Sequence, residues 1–428
     1  MSDIDGNFTL PDISAGTVEL SASFIGYLKE TRSITVTADG TVEVSFLLIQ
    51  DLQQLSEVVV IGYGVQKKSD LTGAVASVSS EEINKVPAQD VKEALQGRAA
   101  GVYIIANTGA PGANVDVRIR GISSINKTNP LWIVDGVPAD PKSVNNADIE
   151  SIEILKDASA GAIYGSSAAN GVILITTKKG QRDKTTVDFN MYYGWQKAHN
   201  LLEVANGPQF GRLYTEYEAI AGRPSFTFPN PDSLPTINYQ EEILRTAPMS
   251  SYDLSASGGN EKSTYFLGIG YLKQEGILKR TSYDRISIRI NSDHKANKWL
   301  RIGENFSFTR QSFKGFEEWK YFNEYNTPVL PAVQYHSFVP VYVNPDGSAA
   351  TEKNDTTNWS ATPLGNTSNP VANIELENRE QQTYLATATA FAVIEPLKGL
   401  SYENRLSGNF KFTNDVDFFA CIFHHSIK

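Results

Sequence analysis

The 428-residue chain carries few of the side chains that perform covalent or metal chemistry. Its one cysteine, Cys421, excludes an internal disulfide framework and any cysteine-based zinc site. The five histidines are scattered except for His424 and His425. No HExxH, GxSxG or Walker loop brings a nucleophile, a base or a phosphate cradle together. Asp3-Ile4-Asp5-Gly6 has the start of a calcium loop, but no Glu follows at the required spacing, so a β-turn is expected. No catalytic residue, metal site or cofactor is therefore expected. Two groupings remain. Arg118 and Arg120 alternate with Val117 and Ile119, so both face one side of a strand, there to meet acidic groups or to stand solvated. Trp319, Tyr321, Phe322, Tyr325, Tyr335, His336, Phe338, Tyr342 and Trp359 crowd one stretch. Such rings stack on sugars or grip peptide side chains, pack a loop core, or form a belt at a membrane surface.

Composition narrows the elements that must position these groups. Apolar residues make up 41% and charged residues 20%, which suits a folded chain. With 19 Tyr and 20 Phe against 3 Met, strands are favoured over helices. A net charge of -10 leaves no basic footprint, so no nucleic-acid partner is expected. No apolar run reaches the length of a transmembrane helix. Met1 to Gly6 lacks the basic end and apolar core of a signal peptide, so the chain is either cytoplasmic or missing its true N-terminus, and the second is expected.

Residues 1–50 read as short alternating strands near 7–11, 17–23, 33–37 and 42–46, broken by turns at 14–16 and 38–40. A polar linker then leads to Glu57, Val58, Val59, Val60 and Ile61, followed by Gly62-Tyr63-Gly64. This segment is too short for a helix and reads as a strand able to pair elsewhere, or as an ordinary edge strand. Residues 65–180 are mixed α/β, with helices expected at Ser80–Ile83 and, capped by Asp90, from Gln89 to Leu95. Strand-like segments follow at 115–121, 131–138, 148–158 and 165–178.

The ordered strings EVVVIGYG, DLTGAV, LQGRAAGV, VRIRG, LWIVDGVP and DIESIEILKDASAGAIYGSSAANGVILITTKKG occupy residues 57–180. Their order resembles, from end to end, the plug of the SusC/RagA family of TonB-linked outer-membrane transporters, and residues 1–50 resemble a non-catalytic carboxypeptidase-regulatory-like domain. The expected fold is mainly β: a truncated carboxypeptidase-regulatory-like β-sandwich (1–50), a linker with TonB box (51–69), an α/β plug (70–182) and the first antiparallel strands, about seven, of a large transmembrane β-barrel (183–428). The resemblance makes Glu57 to Ile61 the TonB box. It makes Arg118, Arg120, Gly121, Asp135, Gly136, Lys156, Asp157, Tyr164, Gly165 and Gly171 the plug motif, with the two arginines turned toward acids on the barrel wall. It implies import of an oligosaccharide or peptide across the outer membrane, with TonB, a SusD-like lipoprotein and outer-membrane lipid as partners. Trp319, Tyr321, Tyr325, Tyr335 and Trp359 are then the candidate ligand or lid contacts.

The alternation beyond residue 183 supports a wall. Val187, Phe189, Met191, Tyr193 and Trp195 alternate with polar residues or glycine almost throughout, and Ile286, Ile288 and Ile290 alternate with Arg285, Ser287, Arg289 and Asn291. A soluble sandwich would alternate too, so a secreted adhesion or signalling protein stands as the second reading. Expected strands near 185–197, 250–258, 262–274, 282–293, 299–313, 381–394 and 400–412 are joined by alternately long and short links, as in an outer-membrane barrel. Seven strands cannot close around a plug. Residues 418–428 abandon the alternation, so a prematurely stopped or frameshifted end is expected, and a fragment that does not transport by itself.

Overall fold

The computed structural model describes residues 8–11, 13–14, 16–22, 30–37, 41–48, 58–61, 64–67, 75–106, 108–121, 129–157, 162–222, 228–316, 329–354, 356–362, 364, 367–397 and 399–419. They belong to two compact units, residues 1–72 and 73–428. In the first, β1 (Gly16–Ala22) and β2 (Glu30–Val36) pair antiparallel, with Val18 opposite Ile34. Residues 41–48, which include the strand expected at 42–46, join no sheet. Phe46 instead lies 6.3 Å from the Phe8 ring and under the Arg32 guanidinium. Further along, β3 (Val58–Ile61) pairs antiparallel with β4 (Gly64–Lys67), from Val58 opposite Lys67 to Ile61 opposite Gly64.

The second unit begins as a small α/β body. Its sheet runs in the order β5 (Val75–Ser79), β10 (Ile149–Leu155), β11 (Val172–Thr177), β8 (Leu131–Val134), β9 (Val137–Pro138), with β8 and β11 parallel. A separate hairpin, β6 (Val102–Ala106) and β7 (Val115–Ile119), packs on it. Ser79 and Glu82 form a capping box that starts α1 (Ser80–Asn84), and Asp90 caps α2 (Val91–Ala94), where the sequence places a helix start. One core joins Val117 and Ile119 of β7 to Ile173 and Ile175 of β11, with Ile83, Val91, Leu95, Trp132, Ile152 and Ile154. The strand β11 is buried on both faces, which explains why its sequence opens as a continuous apolar run from Val172 to Ile175.

A seven-stranded antiparallel meander follows: β12 (Thr186–Gln196), β13 (Ala247–Gly259), β14 (Ser263–Glu275), β15 (Ser282–Lys295), β16 (Leu300–Gly315), β20 (Glu377–Leu397) and β21 (Leu400–Phe419). The register aligns Phe189, Leu254, Ile269, Ile288, Phe308, Ala386 and Phe410 in one outward row. Val187, Ala256, Leu267, Ile290, Phe306 and Ala388 form the row on one side of it, and Met191, Tyr252, Tyr271, Ile286, Arg310, Tyr384 and Phe412 form the row on the other, where Arg310 pairs with Asp284 at 4.0 Å toward the band's edge. Polar residues bound this band. Lys273, Asp284, Ser312, Gln382 and Asn414 line one edge, and Ser292 and Glu304 lie at the other. From Asp284 to Ser292 the backbone rises about 27 Å, a span suited to a tilted membrane strand.

The two long links are folded. The first holds α3 (Gly207–Ile220) and α4 (Tyr239–Ile243). The second holds α5 (Val329–Gln334), a small sheet of β17 (Tyr342–Val343), β18 (Ala349–Ala350) and β19 (Asn358–Trp359), and α6 (Pro370–Leu376). They share a core of Tyr239, Ile243, Leu278, Phe316, Ala332, Tyr335, Val339 and Ile374.

Candidate functional site

The inward face of β15 carries the α/β body, residue by residue. The Tyr283 ring lies over Gly112, closely enough that a methyl group there would collide with it. Arg285 donates to the Gln89 carbonyl at 2.9 Å and to Asn145 Oδ1 at 3.2 Å. Arg289 donates to Asp135 Oδ2 at 3.4 Å and lies 3.9 Å from Asp148. Asn291 donates to Thr177 Oγ1 at 3.0 Å and to the Lys178 carbonyl at 2.8 Å. These inward side chains alternate with Asp284 and the outward Ile286, Ile288 and Ile290. One strand thus presents an apolar face to one side and a hydrogen-bonding face to the other.

The body meets this strand with its turns. Asp135 and Gly136 join β8 to β9 as a two-residue hairpin loop, with φ of 48° and 86°. Positive φ at both positions is the geometry that Asp-Gly supplies most readily. The turn lets Asp135 Oδ1 accept from the Thr177 amide at 3.0 Å, while Oδ2 accepts from both the Thr177 hydroxyl at 2.8 Å and Arg289. Asp148 is buried beside the same arginine. Burial pushes its carboxyl up to about 6 against the pull of Arg289, so its charged form is held at a cost. Among the described residues, Nε and Nη2 of Arg289 find no hydrogen-bond partner. The contact continues on β16 and β21: Thr309 and Gln311 donate to the Ser143 and Lys142 carbonyls, Arg405 and Asn409 to those of Asp135 and Pro138.

The motif residues fall in two places. Asp135 and Gly136 sit at the end of the body that faces the wall. Arg120, Lys156, Asp157 and Gly171 gather at the other end of the sheet. There Arg120 pairs with Asp157 inside the body, which corrects the expectation that it meets acids on the wall. The buried cross-wall ion pairs have the opposite polarity, with Arg289 on the wall and Asp135 and Asp148 on the body. Arg118 lies on β7 opposite Tyr103, with its Nε buried and without a hydrogen-bond partner among the described residues. Gly121 has φ of 107°, and Tyr164 and Gly165 lie in a 3-10 segment, Ala162–Ala168. Gly171, at φ 89°, lets β11 start under Ile119, since a Cβ there would lie 2.8 Å from its Cδ1.

Glu57 lies outside the described residues, and Val58 to Ile61 form β3. The linker expected at 51–69 is in part strand, because 64–67 pair with β3. Trp319, Tyr321 and Tyr325 also lie outside the described residues. Tyr335 is a core residue: its hydroxyl donates to the Ser360 carbonyl at 3.0 Å and its ring meets Tyr239 edge-on at 4.9 Å. Trp359 is packed by Tyr342 at 5.0 Å and by the Lys353 ammonium 4.2 Å from its ring centre. Sequence reasoning passed over Asn145 and Asp148, and it missed the Phe210, Tyr214 and Phe228 rings that cluster with His336 and Phe338. A signal existed for the helix that carries two of them. Asn206-Gly207-Pro208-Gln209 is a capping box with proline in the first turn.

Residues 67–172 match the TonB-dependent Receptor Plug Domain family, and residues 1–60 match the CarboxypepD_reg-like domain. TonB-dependent receptor P26 of Formosa agariphila is 39% identical over 321 residues, which are 72% of this chain and 32% of that protein. TonB-dependent receptor SusC of Bacteroides thetaiotaomicron is 34% identical over 88% of this chain and 38% of its own length. The chain therefore spans about a third of the length of these relatives. Among solved structures, the RagAB peptide importer in its 'open-open' state superposes with a TM-score of 0.67 at 27% identity, over 84% of this chain and 43% of that one. The plug match, the SusC-like identity along most of the chain and a seven-stranded sheet wrapped on an α/β body agree: over the length it spans, this chain belongs to the SusC/RagA-type TonB-dependent receptors.

Proposed function

We propose that the chain supplies the plug and the first wall strands of an outer-membrane importer that takes up an oligosaccharide or a peptide with energy from TonB. The observation that carries this reading is the two-faced wall. A polar inward face holds an α/β body by hydrogen bonds, and the outward face is an apolar band about 27 Å long along the strand. Aromatic side chains flank the band, with Tyr193 and Trp195 toward the long links, and Trp299 and Tyr402 toward the short ones. On the long-link side, a cavity of about 260 Å³ opens between body residues 108–114 and Tyr283, Gln311, Phe313, Arg379 and Gln381. Amide, aromatic and cationic groups around one cavity suit a polar oligomer. Glu57 to Ile61 serve as the TonB box, offering backbone groups to an added strand, and a SusD-like lipoprotein covers the outer loops.

The test replaces Val59 with proline at the chromosomal gene. Proline removes a backbone donor from the box strand. Uptake of casein tryptic peptides or maltodextrins, whichever the parent gene supports, is expected to stop, while surface binding of the same material continues. Undiminished uptake by the variant contradicts the assignment.

A further inference from the structure

Along β14 the inward residues are Phe266, Gly268, Gly270 and Leu272, so two positions without side chains lie between two buried apolar ones. Asp148 and Asn145 of the plug fill the gap. A Cβ on Gly268 would collide with the Asp148 carboxylate, and one on Gly270 with the Asn145 amide and with Asp253. Asn145 is held at both ends of its amide: Nδ2 donates to Asp253 Oδ1 at 2.5 Å and Oδ1 accepts from Arg285 at 3.2 Å. Asp148 is held less firmly. Arg289 stands 3.9 Å away and has two buried N–H groups without a hydrogen bond among the described residues. A seat with unmade bonds loses less on opening than a saturated one, because the freed donors gain water.

We infer that Gly268 and Gly270 are positioning residues that form the plug's seat, and that the Asn145–Asp148 segment must leave this notch for cargo to pass. The inference rests on the importer reading, and it names which plug contact has to break.

Gly268→Cys combined with Asp148→Cys, in a Cys421→Ser parent, tests it. A Cβ at 268 lies 3.0 Å from Asp148 Cγ, where the second sulfur would sit. That spacing matches a carbon and the distal sulfur of a disulfide with an S–S bond of ~2.04 Å. Oxidation is expected to form the crosslink in intact cells, to stop uptake of the peptides or maltodextrins that the parent takes up, and to do so reversibly with reductant. Failure to crosslink, or uptake that persists with the crosslink formed, overturns the inference. Failure of the parent to take up either nutrient in a TonB-dependent way counts instead against the importer reading. A second variant, Gly268→Ala, needs no identified nutrient. Its methyl group is expected to lift the plug and sensitise cells to vancomycin, which the closed wall excludes. Unchanged vancomycin resistance with normal surface level also overturns the inference.

Discussion

At the scale of single residues, the chain places costly groups where plug and wall meet. Asp148 is the clearest. Its carboxyl is raised from 3.8 to about 6, mainly by burial, so the folded chain binds that proton more tightly than the unfolded one. The stability this group contributes is therefore greatest below pH 3.8, weakens as pH rises toward about 6, and is level above it, a change of about 3 kcal/mol. Asp148→Asn is expected to flatten this slope, which thermal unfolding in detergent at acid and neutral pH measures. Arg289→Met leaves Asp135 and Asp148 buried without their cation and is expected to cost about 3–5 kcal/mol. Limited proteolysis of the plug reads that loss, and unchanged resistance to protease would sink it. Little of this was legible in the sequence. Alternation assigns Arg285 and Arg289 to the inward face, but a period of two gives a side and not a partner. Arg289 finds Asp135 across 154 positions. The same limit explains Arg120: the pattern placed it on a face, and only the fold shows that Asp157 is there to pair with it.

At the scale of elements, the wall strands were the most legible part, because each must satisfy lipid on one side and the plug on the other. Ile286, Ile288 and Ile290 share the outward face, as their spacing requires. The central outward row should then be the least tolerant of charge. Ile288→Lys is expected to cost roughly 2–4 kcal/mol, and Ser292→Lys at the band's edge roughly 0–1 kcal/mol. Urea unfolding in lipid bilayers measures both, and equal costs contradict the assigned depth. Gly171→Ala should cost roughly 1–3 kcal/mol, through backbone strain at φ 89° and contact with Ile119, seen as a lowered unfolding midpoint. Where elements were misread, short-range chemistry competed with composition. Residues 51–69 were expected to be a linker throughout, yet Gly64–Lys67 pairs back on Val58–Ile61. The loop aromatics looked available for ligands, yet Tyr335 and Trp359 are used in packing, because the long links fold on a core of their own.

At the scale of the whole molecule, motif order fixed the family more firmly than any single side chain, and the identities to SusC-like receptors run along most of the chain. The outer face carries Val187, Phe189, Met191, Leu406, Phe410 and Phe412 in the open. An apolar surface of this extent is stable only against lipid or detergent. The chain is therefore expected to associate in detergent-free buffer and to disperse when detergent is added, as sedimentation shows; a monomer in plain buffer contradicts it. The most direct test of the account is nitroxide scanning of positions 284–292 in isolated outer membranes, with Cys421 replaced by Ser. The predicted result is collision with oxygen that peaks at Ile286, Ile288 and Ile290 and falls at Arg285, Ser287 and Arg289. Protection of all three isoleucines from oxygen, with no period of two, would contradict a membrane wall around the plug.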